Sequence, residues 1–155
     1  MPHITKGGKF VFGWSKIQKN GLIRLPDQAI QEYKLESNSE VILISGSRTS
    51  GGFSVSNKEM LCKSELKEIF NSLPELTDYS IEESKPLKYK GRFYCWAMLS
   101  ENNYLKLSKE TMDIWCIKEG DLLLSIRSSN IAFVCIVKGP IIERAKTHPE
   151  LLVFE

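Results

Sequence analysis

The sequence contains little of what enzymes use for catalysis. Its two histidines, His3 and His148, lie near the two ends of the 155-residue chain. No GxSxG, GxGxxG or P-loop pattern occurs, and no pair of carboxylates has a base or a metal ligand at a useful spacing. We therefore expect a protein that is not an enzyme and that needs neither a cofactor nor a metal ion.

The cysteines show no CxxC or other spacing typical of a metal site, and three of the four lie within apolar runs. They are Cys62, Cys95, Cys116 and Cys135. Cysteine in such surroundings usually behaves as a small buried hydrophobic residue. We expect that role for all four.

Long apolar segments are also absent. The first six residues lack the apolar core of a signal peptide, and no apolar run approaches the roughly 18 residues that a membrane span needs. With 42% apolar and 26% charged residues, the composition is that of a globular protein with one good core. We expect it to be cytoplasmic and without membrane contact.

Acidic residues are missing from the first 26 positions, which carry a charge of +5 in a chain whose total is +2. The basic residues there are Lys6, Lys9, Lys16, Lys19 and Arg24. A local basic segment can attract an anionic partner through its field and through counterion release. Alternatively, lysines can protect an exposed sheet edge from aggregation. The sequence leaves both interpretations open.

One apolar pattern occurs twice in the chain, in constant register and without a gap. Equivalent pairs are Trp14 and Trp96, Ile17 and Leu99, Asn20 and Asn102, Ile23 and Leu105, Leu25 and Leu107, Tyr33 and Trp115, and Ile44 and Ile126. Repetition at a fixed offset indicates one structural unit used twice. We call the constant sequence separation of these pairs the repeat offset. Two copies are too few for a solenoid, so we predict two halves that complete one core, as the subunits of a symmetric dimer would.

Each unit predicts the order strand, strand, helix, strand, strand. In the first unit, residues 9–18 alternate as a strand does, and Asn20-Gly21 favours a tight hairpin turn. Pro26 ends the returning strand and is suited to start a helix. Because Trp14 and Trp96 occupy equivalent positions, we expect core packing there rather than a stacking platform.

The remaining segments belong to neither unit. Ser56-Asn57-Lys58-Glu59 matches a capping box, and helical spacing of apolar residues then predicts one helix up to Pro74. An acidic connector follows, and the apolar residues 151–154 could add a last strand or dock on a partner. The predicted organisation is residues 1–56 as the first repeat, 57–90 as the helix and acidic connector, 91–140 as the second repeat and 141–155 as a C-terminal tail.

Residues 17–26, IQKNGLIRLP, followed by a short helix and a buried strand, resemble the AbrB/SpoVT/MazE group of swapped-hairpin β-barrel domains. Residues 117–124, IKEGDLLL, look like the end of the same module, and two copies in one chain are an MraZ-like arrangement. The resemblance implies a mainly β fold with short helices (α+β). In it, two ββαβ(β) repeats interlock their hairpins in one barrel, with one extra linker helix outside it.

The resemblance also implies a transcriptional regulator that binds double-stranded DNA as a homodimer or a higher oligomer. The DNA-binding candidates are Lys9, Lys16, Lys19, Arg24 and Arg48. Lysines would contact phosphates as point charges, whereas the arginines could bind a phosphate or a guanine edge through two hydrogen bonds. The predicted function is DNA binding through the basic first hairpin.

A difference from the MraZ-like pattern motivates an alternative. Such copies typically carry an Asp and an Arg flanking the hairpin turn. The matching residues here are Gln18 and Leu22 in the first copy and Ser100 and Tyr104 in the second. The alternative function is therefore a non-DNA-binding oligomerisation or protein-interaction module on the same fold.

Overall fold

The computed structural model describes residues 10–155, so the candidate Lys9 lies outside the described residues. The fold is α+β, with many strands and a few short helices, which confirms the predicted class at this coarse level. The elements of the first third are β1 (Val11–Lys16), β2 (Leu22–Arg24), α1 (Asp27–Glu32), β3 (Ser39–Ser45) and β4 (Phe53–Ser56). The middle contains α2 (Lys58–Cys62), α3 (Ile69–Ser72), α4 (Pro74–Thr77) and β5 (Leu87–Tyr89). The last part contains β6 (Arg92–Leu99), β7 (Tyr104–Lys106), α5 (Lys109–Ile114), β8 (Leu122–Arg127), β9 (Phe133–Ile136), α6 (Pro140–Ala145) and β10 (Val153–Phe154).

Strands from distant parts of the chain pair with one another. Eight of them form one sheet in the order β10-β1-β8-β9-β4-β3-β6-β5, while β2 and β7 form a separate pair. Within the large sheet, β1 is antiparallel to β8 and β3 is antiparallel to β6. In the small sheet Ile23 lies opposite Leu105. These pairings between the early and late segments are made within a single chain.

The two hairpin turns have nearly the same backbone. Each is a short 3-10 turn, at Lys19–Gly21 and at Glu101–Asn103. Asn20 has φ 63° and Asn102 has φ 64°, a left-handed conformation that asparagine tolerates better than most residues. The predicted turn at Asn20-Gly21 is therefore confirmed in position, although its form is a 3-10 turn.

The central core draws on both halves of the chain, with Phe12, Val41, Leu105 and Phe133 fully buried in one cluster. Trp14 is buried in a neighbouring cluster beside α6. Trp96 is half-buried, and its Nε1–H donates a hydrogen bond to the Ile81 carbonyl at 2.8 Å. Both tryptophans thus pack inside the fold, as expected.

The single linker helix predicted after Ser56 is wrong in two respects. The cap is Asn57, whose side chain accepts from the Met60 N–H, whereas Ser56 Oγ donates to the Ile131 carbonyl at 2.6 Å. The helix is also interrupted, because Ser64 accepts from the Leu66 N–H and starts a new 3-10 turn. The segment therefore consists of short helical pieces.

The C-terminal tail packs on its own chain. Pro140 begins α6, a helix that the sequence did not predict. Strand β10 then adds to the edge of β1 in parallel, and the Trp14 N–H donates to the Leu152 carbonyl at 2.8 Å. Of the two possibilities left open for residues 151–154, the structure shows strand addition.

The cysteine prediction is half right. Cys95 and Cys135 are buried, and burial raises the pKa of each thiol to about 12. Cys62 and Cys116 are exposed, contrary to the expectation. Cys62 ends the short α2, and Cys116 has φ 56° just after α5, so both lie where the chain turns outward.

Across residues 10–155, helices are too short or too polar to cross a membrane.

Candidate nucleic-acid interface

The pairing of the strands places the two hairpin turns at opposite ends of the large sheet. From β1 through β8, β9, β4 and β3 to β6, every neighbouring pair is antiparallel. Strands β1 and β6 consequently run in opposite directions. The turn after β1, at Lys19–Gly21, and the turn after β6, at Glu101–Asn103, therefore face away from each other.

The first of these ends is rich in lysine. Lys16 is exposed at the end of β1, opposite Leu122 of β8, and Lys19 is exposed in the turn itself. Both are predicted DNA contacts. They lie on one continuous hairpin, so the structure brings these two candidates together.

A groove of about 540 Å³ lies beside the turn and brings in three further lysines, Lys106, Lys109 and Lys118. Backbone hydrogen bonds hold its walls together: the Leu107 N–H donates to the Gly21 carbonyl at 2.9 Å, and the Gly120 N–H donates to the Ile17 carbonyl at 2.9 Å. We call this end, with Lys16, Lys19, Lys106, Lys109, Lys118, Arg48 and Lys138, the basic end.

Most of these cations keep their charge available for a partner. Within residues 10–155, Lys16, Lys19, Lys106 and Lys118 form no ion pair. Lys109 pairs with Asp113 at 3.4 Å, but both side chains are largely exposed, and such a pair contributes little stability. Acidic residues also lie nearby: Asp113 and Glu119 line the groove, and Asp121 accepts a hydrogen bond from the Lys118 N–H.

Arg24 does not lie with these lysines. In the antiparallel pair of β2 and β7, Lys106 lies opposite Leu22 near the first turn, and Arg24 lies opposite Tyr104 near the second. Arg24 also has partners of its own: Asp27 lies 3.5 Å from its guanidinium, and the Phe154 ring centre lies 5.8 Å away. DNA binding by Arg24 remains a prediction, and any such contact would have to compete with these interactions.

Arg48 lies at the basic end but in a different groove. It is exposed in the loop of residues 46–52, which follows the end of β3, and β3 runs in the same direction as β1. This second groove, of about 440 Å³, also has Lys138 in its lining. Arg48 therefore lies at the same end of the sheet as Lys16 and Lys19, four strands away in the sheet order.

The opposite end has acidic residues at three of the positions that carry lysine at the basic end. At positions related by the repeat offset, Lys19 is replaced by Glu101, and two groove lysines are replaced by acids: Lys109 by Asp27 and Lys118 by Glu36. Asn103 Nδ2 donates to Asp27 at 2.7 Å, so Asp27 lies beside the second turn. The asymmetry in charge therefore separates two ends whose backbones match closely.

Sequence reasoning missed Lys106, Lys109 and Lys118. The repeat offset was visible, and Lys106 is the equivalent of Arg24, but the positions of these lysines depend on which strands exchange partners.

Among the described residues, no group of three or more His, Cys, Asp or Glu side chains is arranged to hold a metal ion.

Comparison with protein-family models, with curated proteins and with solved structures finds no match to this chain. What the chain does must therefore be argued from its own residues.

Proposed function

We propose that this chain is a DNA-binding transcriptional regulator of the AbrB/SpoVT type, which contacts the duplex through its basic end. The observation that carries the proposal is the convergence of Lys16, Lys19, Lys106 and Lys118, without ion pairs in the described part of the chain, around one hairpin turn. Lysines on a projecting turn can reach several phosphates, and phosphate contacts supply most of the affinity of non-specific DNA binding.

The finer architecture, an interlocked barrel of two repeats, is part of the same proposal. It is supported by strand exchange, in which β1 pairs with β8 and β3 pairs with β6. It is also supported by matched hydrogen bonds, such as Leu107 N–H to the Gly21 carbonyl and Leu25 N–H to the Asn103 carbonyl, both at 2.9 Å. Each bond maps onto the other when the positions are shifted by the repeat offset.

The reversed charges argue that DNA approaches one end only. A duplex at the second turn would meet Glu101 and Glu36, which form no ion pair in residues 10–155, and it would meet Asp27, whose charge is partly balanced by Arg24. Juxtaposed like charges are unfavourable. Contacts from the basic end alone would make binding weaker and less symmetric than in a protein with two equivalent basic hairpins. We accordingly expect one chain to cover a single short DNA site.

The test compares charge reversals that differ only in position. Lys16→Glu together with Lys19→Glu should lower the affinity for duplex DNA at least tenfold, because two phosphate contacts become repulsions. Lys34→Glu together with Lys67→Glu is the matched control, since both lysines are exposed, have no ion pair in residues 10–155 and do not belong to the basic end. Equal loss in both variants, with the fold intact by circular dichroism, would refute an interface at the basic end.

An oligomerisation or protein-interaction module is the second candidate function. It is favoured by four exposed apolar side chains, Leu22 at 36%, Leu122 at 42%, Leu152 at 58% and Val153 at 48% exposure, of which the last two lie at the C-terminal edge. Under this alternative, deleting residues 149–155 changes the mass of the assembly in light scattering. An unchanged mass counts against it.

A further inference from the structure

Two sites related by the repeat offset differ in how their polar groups are satisfied. Each is built where a short helix ends against the turn that follows a long strand. The first contains Tyr33 after α1 and the turn after β8; the second contains Trp115 after α5 and the loop after β3. The comparison between them shows what the second site lacks.

In the Tyr33 site the chain supplies every partner. The buried Tyr33 donates its hydroxyl proton to the Ser129 carbonyl at 2.6 Å. Arg127 Nε donates to Glu32 at 2.6 Å, and its guanidinium lies 4.8 Å from the Phe10 ring centre. A carboxylate, a cation and an aromatic hydrogen-bond donor are thus all engaged.

In the Trp115 site the same positions carry different residues. Ile114 stands where Glu32 supplies the carboxylate, and Ser45 stands where Arg127 supplies the cation. Trp115 is 5% exposed, and its Nε1–H is buried without a hydrogen-bond partner in residues 10–155. This nitrogen is closed off from the cavity, so what the site lacks on its open side is the carboxylate that Glu32 supplies in the Tyr33 site.

The second site also has room and charge. The loop after β3 has seven residues, numbers 46–52, whereas the turn after β8 has five, numbers 128–132. The cavity beside this loop measures about 440 Å³, and Phe93, Trp115 and Val137 supply apolar walls. Arg48 and Lys138 stand in its lining without an ion pair in the described part of the chain.

We propose that this cavity binds a small aromatic carboxylate. The ligand's carboxylate takes the place of the missing Glu32 equivalent and is bound by Arg48 and Lys138. The ligand's ring packs on Phe93 and on the exposed edge of Trp115. A volume of this size suits one small molecule. The proposal does not depend on DNA binding, although an anion bound here would neutralise Arg48.

The test uses 2-naphthoate as the probe and neutral 2-naphthamide, which has the same ring system, as its control. Titration calorimetry should give 2-naphthoate at least tenfold tighter binding than 2-naphthamide. The joint variant Arg48→Ala, Lys138→Ala should weaken 2-naphthoate binding at least tenfold, whereas Lys67→Ala should not change it. Both cavity cations are surface side chains, so the variant should fold.

A second readout locates the probe. In nitrogen-15 spectra of the tryptophan side chains, 2-naphthoate should shift the indole N–H signal of Trp115 and leave those of Trp14 and Trp96 in place. The proposal is overturned if the acid binds no tighter than the amide, if the joint variant binds it normally, or if the Trp115 signal does not move at millimolar probe.

Discussion

Truncation of Leu105 to alanine tests whether the two halves form one folding unit. Leu105 lies at the centre of β7, opposite Ile23 of β2, and both side chains are fully buried. The pair joins the early segment of the chain to the late one. A destabilising substitution on one side of the pair should therefore lower the stability of both segments.

The expected loss follows from the burial. Leucine-to-alanine changes in a core cost about 2–5 kcal/mol, because apolar contacts are lost and the cavity collapses only partly. Because Leu105 is fully buried, we expect a loss of stability near the middle of this range, at about 3 kcal/mol. With a urea slope of about 2 kcal/mol/M, the midpoint should fall by roughly 1.5 M.

Urea unfolding should be followed by circular dichroism and by tryptophan fluorescence. Trp14 reports on the early segment, and Trp96 and Trp115 report on the late one. We expect one coincident transition at the lower midpoint for Leu105→Ala, and a shift below about 0.5 kcal/mol for Leu122→Ala, whose side chain is exposed. Separate transitions, with the Trp14 signal unchanged, would refute the interlocked arrangement.

Three further predictions concern backbone, thiols and pH. Gly52→Ala should destabilise by about 2 kcal/mol or more and lower Tm, because φ is +67° and a Cβ would lie too close to the Cys135 carbonyl; an unchanged Tm would contradict this. At pH 8 the buried Cys95 and Cys135, with thiol pKa values of about 12, should not react with a disulfide reagent, while the other two cysteines react. Rapid reaction of all four cysteines would contradict the burial of Cys95 and Cys135. The Arg127 hydrogen bond lowers the pKa of Glu32, so the pair stabilises the fold above the unfolded pKa of about 4.5 and loses that effect as the pH falls through the lowered value. Since both side chains are partly exposed, Glu32→Gln should lower the free energy of unfolding by less than about 1 kcal/mol at pH 7 and leave it unchanged at low pH. A difference in unfolding free energy that does not change with pH would contradict this.

Local features of the fold were predictable from the sequence because they depend on neighbouring residues. Asn20 and Asn102 adopt the left-handed conformation in which asparagine is tolerated, and they mark both turns. Pro26 directly precedes α1, as its fixed φ favours. The buried strand expected after the short helix of the first repeat is present as β3.

Features that depend on tertiary pairing were not predictable in the same way. Arg24 was grouped with Lys16 and Lys19 because it is close in sequence, but strand pairing places it near the second turn and puts Lys106 near the first. The tail became a strand only because the edge of β1 was open to it. The sequence pattern carries little information on which strands pair with one another in the folded protein.

The most direct test of the central claim is fluorescence anisotropy of a random DNA duplex titrated with the protein at salt concentrations from about 50 to 300 mM. Each phosphate contact contributes about −0.9 to the slope of log affinity against log salt, so three to five contacts from the basic end predict a slope between about −2.7 and −4.5. The absence of binding at about 50 mM salt, or affinity that does not change with salt, would contradict the account.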